Sequence, residues 1–416
     1  MYSIAKKYSQ THEKTIMAGI KNLVLASAML FPGLILGGCG GGGSGSSSQT
    51  AQDGTVHFSL TDTPACGFDA VNVTVVKVRV NKSATAGDTD AGWTDVTLNP
   101  TQKVDLVKLT NGVLLDLGQA PLPAGHYTQT RLVLAPNTAS TPLANSVVPT
   151  GRSETALDTP SAVQSGIKLN HEFDVAANTL SDFTLDFDAC KSVVTRGNSG
   201  YGLKPVISVT PMIVSGAING VVAPLPVSAH PVVSAQLNGV VVKSTVPGAN
   251  GVFSLSPLQQ IDAASGYTVV VAADGYATDV VTGVPVVAKA VTQISTSAAP
   301  FSLASSATNS ISGSVLPVAA QASLRAIQTY GTTLSTTVTV KSTGADLATG
   351  AYAMSLPTAA PMFGAFGTGT LPIIFNSQPT TAGKYAVEAA STGYTTQTVT
   401  GINISTAGAA QNFSLR

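Results

Sequence analysis

Charged side chains are scarce in this chain. Only 10% of its 416 residues are Asp, Glu, Lys or Arg, whereas about 25% is ordinary for a soluble protein. The 21 basic and 21 acidic residues also cancel, so the formal net charge at pH 7 is zero. Nucleic-acid-binding proteins carry a basic patch or stripe, and this composition gives no sign of one. We therefore expect no nucleic-acid partner.

The sequence motifs of common enzyme classes are missing too. His171-Glu172 is not followed by the second histidine of a zinc-protease motif, and neither a G-x-S-x-G nucleophile elbow nor a phosphate-binding loop is present. We therefore predict a binding or structural surface protein, with a glycan or protein ligand, that is not an enzyme. The alternative is an exported hydrolase of glycans or peptides with the C-terminal repeats as accessory domains. Its nucleophile, base or metal ligands would have to come together from distant positions.

Cysteine is rare, and the first of the three cysteines lies at a boundary in composition. Cys39 follows the apolar stretch NLVLASAMLFPGLILGG and precedes the segment GGGGSGSSSQT. Lysines come before the apolar stretch, which is too short to span a membrane, and this arrangement is typical of a secretory signal peptide. We predict a signal peptide over residues 1–38, with Met17 as an alternative true start of the protein.

The Leu-Gly-Gly-Cys segment that ends at Cys39 resembles the lipobox of bacterial lipoproteins. The resemblance implies that Cys39 is acylated, for example with palmitate, and becomes the mature N-terminus. Residues 39–53 would then be a lipidated cysteine and a flexible Gly/Ser tether. The chain is accordingly predicted to be held at a membrane of the bacterial cell envelope. Gly40 after the cysteine is compatible with sorting to the outer membrane.

The other two cysteines, Cys66 and Cys190, are left as a pair. Exported proteins fold in oxidising compartments, where such a pair most simply forms a disulfide. Neither cysteine has a C-x-x-C partner, so zinc binding and thioredoxin-like chemistry are not indicated. The sequence predicts a disulfide between Cys66 and Cys190, with two buried free thiols as the alternative.

The abundant residues, Thr, Ser, Val, Ala and Gly, favour pleated sheet and turns over helix. Segments such as TVHFSLTD, AVNVTVVKVRV and DFTLDFDAC alternate between two faces, and turn-forming segments such as TNG, PAG and RGNSG separate them. This period of two predicts half-buried antiparallel strands in a β-sandwich. Trp93, the only tryptophan, is expected to pack in its core.

Several segments are each weakly characteristic, but their order along the chain is specific to one family. They are FSLTDTP, FDAVNVTVVKVRV, GWTDV, LPAGHYTQTRLVL, LDFDACKSVV and YGLKPVI. Residues 54–212, which contain them, resemble the uncharacterised bacterial family named domain of unknown function 4382. The resemblance implies a β-sandwich domain of exported lipoproteins with no established activity.

The C-terminal half contains a diverged repeat. SGYTVVVAADGYATDVVTGVPV in residues 213–303 corresponds to GKYAVEAASTGYTTQTVTGINI in residues 309–416, and the second copy carries an insertion around APMFGAFGTGTLPIIFNSQPT. The first copy resembles the carboxypeptidase regulatory-like modules, which implies small prealbumin-type sandwiches that act as spacers or recognition surfaces. The predicted fold is therefore all-β, with an N-terminal disulfide-stapled β-sandwich followed by two smaller β-sandwich modules.

Four carboxylates are close in sequence to the predicted disulfide: Asp62, Asp69, Asp186 and Asp188. Strand alternation points Leu185 and Phe187 inward and leaves Asp186 and Asp188 together on the other face. Carboxylates in one place repel one another unless a cation or a base neutralises them, and oxygen ligands suit calcium, so the group is a hypothetical Ca²⁺ site. The alternative is neutralisation without a metal by a basic side chain: Lys191, Arg131 or Lys204. No other cofactor is indicated.

Overall fold

The computed structural model describes residues 53–63, 67–197, 200–261, 266–330, 335–367 and 371–416. The predicted signal peptide, Cys39 and Cys66 lie outside these ranges. Strands dominate the described residues, and the longest helix there has five residues, which confirms the all-β prediction. In the same ranges, no helix is both long and apolar enough to cross a membrane.

The first sandwich, residues 53–211, consists of strands joined by turns and very short helices. Its strands are β1 (Asp53–Thr63), β2 (Phe68–Asn81), β3 (Thr94–Asp105), β4 (Leu115–Pro123), β5 (Gly125–Tyr127), β6 (Gln129–Leu134), β7 (Ser146–Pro149), β8 (Thr155–Asp158), β9 (Ile167–Leu169), β10 (Phe173–Val175), β11 (Leu180–Asp188), β12 (Val193–Arg196), β13 (Gly200–Leu203) and β14 (Ile207–Pro211). Its helices are α1 (Pro160–Gln164), α2 (Ala189–Ser192) and the 3₁₀ helix Leu106–Leu109.

Two sheets of the first sandwich enclose one apolar core. One sheet has the strand order β14-β11-β1-β4, and β1 runs parallel to β11 with Thr61 opposite Asp186 and Thr63 opposite Asp188. The other sheet has the order β12-β13-β8-β7-β2-β6-β9, with β3 also paired to β2. The parallel pair β1 and β11 therefore brings two distant aspartate-containing segments side by side.

Strand β2 shows how alternation builds this core. Val71, Val73 and Val75 are fully buried, as a period of two predicts. A bulge between Val75 and Lys77 then adds one residue to β2 relative to its neighbour β6, so that Val78 returns to the buried face. Buried and exposed residues thus alternate on both sides of the bulge, with the buried positions shifted by one residue after it.

The second sandwich, residues 215–303, and the third sandwich, residues 308–416, follow along the chain. The second contains β15 (Ser215–Val221), β16 (Val232–Leu237), β17 (Val240–Thr245), β18 (Val252–Gln259), β19 (Tyr267–Ala272), β20 (Asp279–Val284) and β21 (Val291–Gln293). The third contains β22 (Thr308–Leu316), β23 (Ser323–Tyr330), β24 (Thr336–Gly344), β25 (Ala351–Pro357), β26 (Met362–Ala365), β27 (Asn376–Ser377), β28 (Lys384–Ala390), β29 (Gln397–Asn403), β30 (Ala409–Ala410) and β31 (Phe413–Ser414). Short 3₁₀ helices between these strands are Met212–Val214, Val227–Ala229, Val318–Ala320 and Pro379–Thr381.

The two smaller sandwiches share one topology. The sheets β18-β15-β21 and β17-β16-β19-β20 of the second correspond to β25-β22-β30 and β24-β23-β28-β29 of the third. The insertion in the second copy forms β26 and β27, and β26 pairs in parallel with β20, with Asp279 opposite Met362. The insertion therefore covers an edge of the neighbouring sheet, whose backbone groups would otherwise need other partners.

Buried contacts join the sandwiches to one another. An apolar cluster between the second and the third consists of Val270, Val280, Tyr330 and Val338. Between the first and the second, the Asn111 N–H donates to Thr245 Oγ1 at 2.9 Å, and the Thr245 hydroxyl donates back to Asn111 Oδ1 at 3.0 Å. The three sandwiches belong to a single compact unit, whereas spacer modules joined by linkers make few such contacts. The domain boundaries inferred from the sequence stay a prediction.

The prediction that Trp93 packs in the core is wrong. The indole is only partly buried, and its Nε1 donates a hydrogen bond to the Gly87 carbonyl at 2.8 Å. The guanidinium groups of Arg79 and Arg131 lie 4.5 Å and 4.7 Å from the ring centroid. Cation–π contacts and the indole N–H, which needs a partner, explain its position at the surface of the sandwich.

Candidate binding cavity

Three of the four aspartates that the sequence singles out lie on the adjacent parallel strands β1 and β11, but only two of them share a face of the sheet. Asp186 and Asp188 at the end of β11 are opposite Thr61 and Thr63, whereas Asp62 is opposite Phe187 on the core face. Asp69 lies on the other sheet. It is exposed on β2, and its Oδ2 accepts a hydrogen bond from the Gly151 N–H at 3.4 Å.

Lysine side chains neutralise two of these carboxylates. Asp186 Oδ1 is 2.8 Å from Lys243 Nζ, and the two side chains are only 6% and 2% exposed. Asp188 Oδ2 is 2.6 Å from Lys191 Nζ, while its Oδ1 caps α2 by accepting the Lys191 N–H. Lys191 is one of the bases that the sequence suggests, whereas Lys243 comes from β17 of the second sandwich.

The face of β11 that carries Asp186 and Asp188 is covered rather than open to water. The two residues are 5% and 8% exposed, and β17 of the second sandwich packs against β1 on the same sheet. The carboxylates of Asp186 and Asp188 are therefore shielded from water, although strand alternation turns them away from the core of the first sandwich. Alternation assigns a side chain to a face of a sheet but says nothing about what covers that face.

Asp62, the third carboxyl on these two strands, lies on the core face of the sheet and is almost inaccessible, at 1% exposed. Its Oδ1 accepts the Ala189 N–H at 3.0 Å, and its Oδ2 is buried without a hydrogen-bond partner among the described residues. Burial raises the pKa of Asp62 well above its usual range, and the carboxylates of Asp186 and Asp188 raise it further, while the Ala189 N–H and Lys243 act in the opposite direction. The protonated, neutral form of Asp62 is accordingly favoured.

The hypothesis that this group binds calcium stays a prediction. Asp186 and Asp188 are each paired with a lysine and Asp62 favours its neutral form, so the group carries little net charge to attract a cation. Within the described ranges, no set of three or more His, Cys, Asp or Glu side chains is arranged to hold a metal ion.

The remaining residues that the sequence connects with this group lie in different places. Arg131 is buried in the other sheet of the first sandwich, and Lys204 donates to the Gln321 carbonyl of the third sandwich. Cys190 lies on α2, directly after β11. Because Cys66 is outside the described residues, a disulfide between Cys66 and Cys190 stays a prediction.

A cavity of about 350 Å³ lies beside this group, where the three sandwiches meet. Asp188 and Lys191 line it from the first sandwich, His230 and Asp274 from the second, and Lys341 from the third. Small-molecule sites in proteins typically measure about 300–1,000 Å³ and combine apolar walls with a few polar groups. The size of the cavity is therefore that of a site for a small ligand.

Asp274 links the charged groups that the second and third sandwiches contribute. Its Oδ2 is 3.2 Å from His230 Nδ1, and its Oδ1 is 2.8 Å from Lys341 Nζ. Its backbone N–H donates to the Ala229 carbonyl at 2.7 Å, which places it beside the turn that contains His230. His230 has a positive φ of 44°, which is uncommon for a residue with a side chain and requires support from its surroundings.

The walls of the cavity between these charges are largely apolar. The side chains of this kind are Val232, Val241, Ala272, Ala273, Val340 and Leu356. Residues with hydroxyl groups interrupt the apolar surface: Ser234, Ser244, Thr278, Thr339, Ser342 and Ser355. Such a lining suits a ligand that has an apolar body and one polar end.

Sequence reasoning alone does not find this cavity. Its lining residues are spread from Gly67 to Pro357, and no motif connects them. One local signal exists, because His230 and Gln321 both follow a short 3₁₀ helix and have φ values of 44° and 48°. The turn is thus common to both repeats, and only the second sandwich places a histidine there.

The histidines bond to carboxylates or are buried, and none of the described ones contacts a serine hydroxyl. Ring nitrogens of His57, His126 and His230 bond to carboxylates, and no bond between a Ser hydroxyl and a His ring occurs in the part of the chain that the structure describes. The Nε2 of His171 is buried without a partner among the same residues, and burial lowers the pKa of this ring. A nucleophile and base in contact, as hydrolysis by a serine requires, are not seen there.

Solved structures that resemble the chain include pilins, all at low similarity. The Bacillus anthracis TIE protein is 11% identical, with 88% of this chain and 50% of that chain covered and a TM-score of 0.17. A streptococcal ancillary pilin is 8% identical over 88% and 99% of the two chains, with a TM-score of 0.16. The Corynebacterium diphtheriae major pilin SpaA is 12% identical over 87% and 99%, with a TM-score of 0.18. The chain thus spans half the length of the first protein, and scores this low carry no argument about function.

No curated protein matches the chain. The resemblance of residues 213–303 to carboxypeptidase regulatory-like modules stays a prediction. The first sandwich, in contrast, has a family match that agrees with the resemblance seen in its segments. Residues 53–205 match the model of the family described as Domain of unknown function (DUF4382), to which no activity is assigned.

Proposed function

We propose that this chain is an exported protein of the bacterial cell envelope that binds a small ligand in the cavity between its three sandwiches. The observation that carries the proposal is the cavity, whose lining combines apolar walls with charged groups from all three sandwiches. Ligand sites occur preferentially at the interfaces between domains. The alternative of an exported hydrolase has no specific observation in its favour.

The charges around the cavity indicate the chemistry of the ligand. Asp188 is paired with Lys191, and Asp274 is shared by His230 and Lys341. Both carboxylates already have basic partners, whereas each ammonium group has three donors and can bond to a ligand as well. We therefore infer a small ligand with an apolar body and a carboxylate or another oxygen-rich head group.

Calorimetric titration of the full chain with hexanoate, and separately with N-acetylglucosamine, tests this site. We expect hexanoate to bind, and Lys341→Met to weaken its affinity by about tenfold or more, because a hydrogen bond to a charged group contributes about 1.5–3 kcal/mol. Val340→Trp should abolish binding because the indole fills the cavity. Binding of N-acetylglucosamine but not of hexanoate would support a ligand site in the cavity and would contradict the inferred carboxylate head group of the ligand.

Val287→Trp is the matched control for Val340→Trp. Val287 is 54% exposed and does not line the cavity, so the same substitution there should leave the affinity unchanged. The ligand-site proposal is wrong if neither probe binds the wild-type chain, or if Val340→Trp binds as tightly as the wild type does.

The proposal includes attachment to a membrane through a lipid on Cys39. Cys39→Ser should move the protein from the membrane fraction to the soluble fraction, because one side chain provides the acylation site. Fractionation and mass spectrometry of the N-terminal peptide measure both effects, and Ser46→Ala in the tether is the control. A Cys39→Ser protein that stays in the membrane fraction would contradict lipid anchoring.

A disulfide between Cys66 and Cys190 that staples the first sandwich is part of the same proposal. Its support is the cysteine count together with an exported location, where thiol pairs are oxidised. Location at the outer membrane rests on Gly40 after the lipidated cysteine. The domains would then be a lipidated tether at 39–53, the family domain at 54–212, and two modules at 213–303 and 309–416.

A further inference from the structure

A second, smaller cavity lies where the insertion of the third sandwich covers the edge of the second sandwich. It has a volume of about 180 Å³, and Asp279 at the start of β20 lines it. Strand β26 pairs with β20 so that Met362 is opposite Asp279, and the Met362 N–H donates to the Thr278 carbonyl at 2.9 Å. Backbone hydrogen bonds therefore hold the insertion against the second sandwich at this cavity.

The carboxyl group of Asp279 lies in apolar surroundings. Asp279 shares a face of β20 with Val281, which belongs to the apolar core of the second sandwich. It is 3% exposed, and its Oδ1 is buried without a hydrogen-bond partner among the described residues. Burial alone raises the pKa of this carboxyl to about 7, with no contribution from a neighbouring charge. Buried polar atoms without partners are rare in native structures, and a partner from outside the chain would explain this one.

The rest of the cavity lining is mostly apolar and partly aromatic. The larger side chains there are Ile294, Phe301, Met362, Pro372, Ile373 and Phe375. The rings of Phe301 and Phe375 meet edge to face, with their centroids 5.7 Å apart. The Ser295 hydroxyl is already used, because it donates to the Val221 carbonyl at 2.9 Å and accepts the Val221 N–H at 2.7 Å. None of the described lining residues is basic, so the protein supplies no cation for Asp279 in this cavity.

We propose that this cavity binds a small primary amine in its ammonium form, with Asp279 as the counter-ion and the apolar walls around the hydrocarbon part. An ammonium group has three donors for the carboxylate oxygens, and aromatic faces attract cations that have left water. A metal ion fits less well, because Ca²⁺ takes six to eight oxygen ligands and Asp279 is the one carboxylate among the described lining residues. A cavity of about 150 Å³ can hold benzene, so the ligand has about five or six non-hydrogen atoms.

This site differs in its chemistry from the cavity between the three sandwiches. There, Asp188 is paired with Lys191 and Asp274 with Lys341, and the lysines favour an anionic head group. Here the carboxyl group has no basic partner, so a cationic head group is favoured. The two linings share no described residue. Amine binding is therefore independent of the ligand proposed for the larger cavity, and each site can be tested without the other.

Calorimetric titration of the full chain with butylamine, and separately with 1-butanol, tests the proposal. The two probes have nearly the same shape, but only butylamine carries a charge at neutral pH. We expect butylamine to bind at pH 8, and 1-butanol to bind about tenfold more weakly or less, because the alcohol does not form a charged pair with Asp279.

The affinity for butylamine should also rise by about tenfold from pH 6 to pH 8. Only the ionised carboxyl pairs with an ammonium group, and its fraction grows from about one tenth to about nine tenths across a pKa of about 7. An alkylamine stays protonated over this range, as a lysine side chain does. Within the described residues, Asp279 is the sole titratable group that lines the cavity, so the change in affinity reports on its carboxyl.

Asp279→Asn keeps the shape of the side chain and removes its charge. It should weaken butylamine binding at pH 8 by about tenfold or more and remove the pH dependence. Asp90→Asn, which removes an exposed carboxyl, is the control and should bind as the wild type does. Circular dichroism shows whether the variants fold, and the comparison of the two probes on the wild type decides the question even if one of them does not. The proposal is overturned if butylamine does not bind at pH 8, if 1-butanol binds as tightly, or if folded Asp279→Asn retains the wild-type affinity.

Discussion

The Asp279→Asn variant should be more stable than the wild-type protein above pH 7, by about 4 kcal/mol. Asp279 lies at the start of β20, is 3% exposed and lines a cavity of about 180 Å³ with Met362 and Ile373. Burial raises the pKa of its carboxyl to about 7, and each unit of pKa corresponds to about 1.4 kcal/mol. Asparagine has the same shape and does not ionise, so the variant avoids the cost of a buried charge.

The sign of the pH dependence follows from the direction of this shift. A carboxyl group whose pKa is higher in the folded state binds its proton more tightly when folded. Its contribution to stability is therefore full below pH 4, is lost as the pH rises from about 4 to about 7, and is absent above. The variant should lack this decline, so the difference between the two proteins should grow across that range.

Thermal unfolding at pH 4, pH 6 and pH 8 measures the effect. Asp90→Asn, at an exposed position, is the control and should follow the wild-type curve at each pH. Equal stability of wild type and Asp279→Asn at pH 8 would show that the charge on Asp279 is solvated or neutralised, contrary to its burial.

The sequence predicts the strands because their signal is local. Val71, Val73 and Val75 alternate with polar residues over a few positions, and this pattern is enough to assign the buried face of β2. The repeated strand order of the second and third sandwiches is visible in the sequence for a similar reason, because corresponding segments have kept their spacing. The insertion that forms β26 and β27 is visible too, as extra residues between two corresponding segments of the repeat.

The surroundings of a surface cannot be predicted in this way, because they depend on residues far apart in the chain. Alternation correctly places Asp186 and Asp188 on one face, but Lys243, which pairs with Asp186, belongs to a different sandwich. The cavity is harder still to foresee, since three sandwiches contribute to its lining. The size of the Trp93 side chain favours the core, whereas two nearby guanidinium groups provide it with partners at the surface.

Arg131 is the opposite case, a charged residue in the interior of the first sandwich. It is 1% exposed, and its guanidinium group is paired with Asp88 and donates to the carbonyls of Ala86 and Ser165 at 2.8 Å each. Its Nε donates to Gln129 Oε1 at 2.6 Å. These groups depend on one another, because each buried acceptor would lose its partner if the guanidinium were removed.

Arg131→Met should therefore destabilise the first sandwich by about 3 kcal/mol, the lower end of the range for breaking a buried ion pair, because Asp88 is 46% exposed and can be hydrated. Methionine keeps most of the apolar stem, so the loss reports on the guanidinium. Arg79→Met is the matched control, since Arg79 also lies over Trp93 but pairs with Asp95 near the surface, where such pairs contribute about 0.2–1 kcal/mol. Urea unfolding followed by the fluorescence of Trp93, the only tryptophan, compares the two variants. Equal losses would show that Arg131 acts through the indole alone and that its buried hydrogen bonds add nothing to stability.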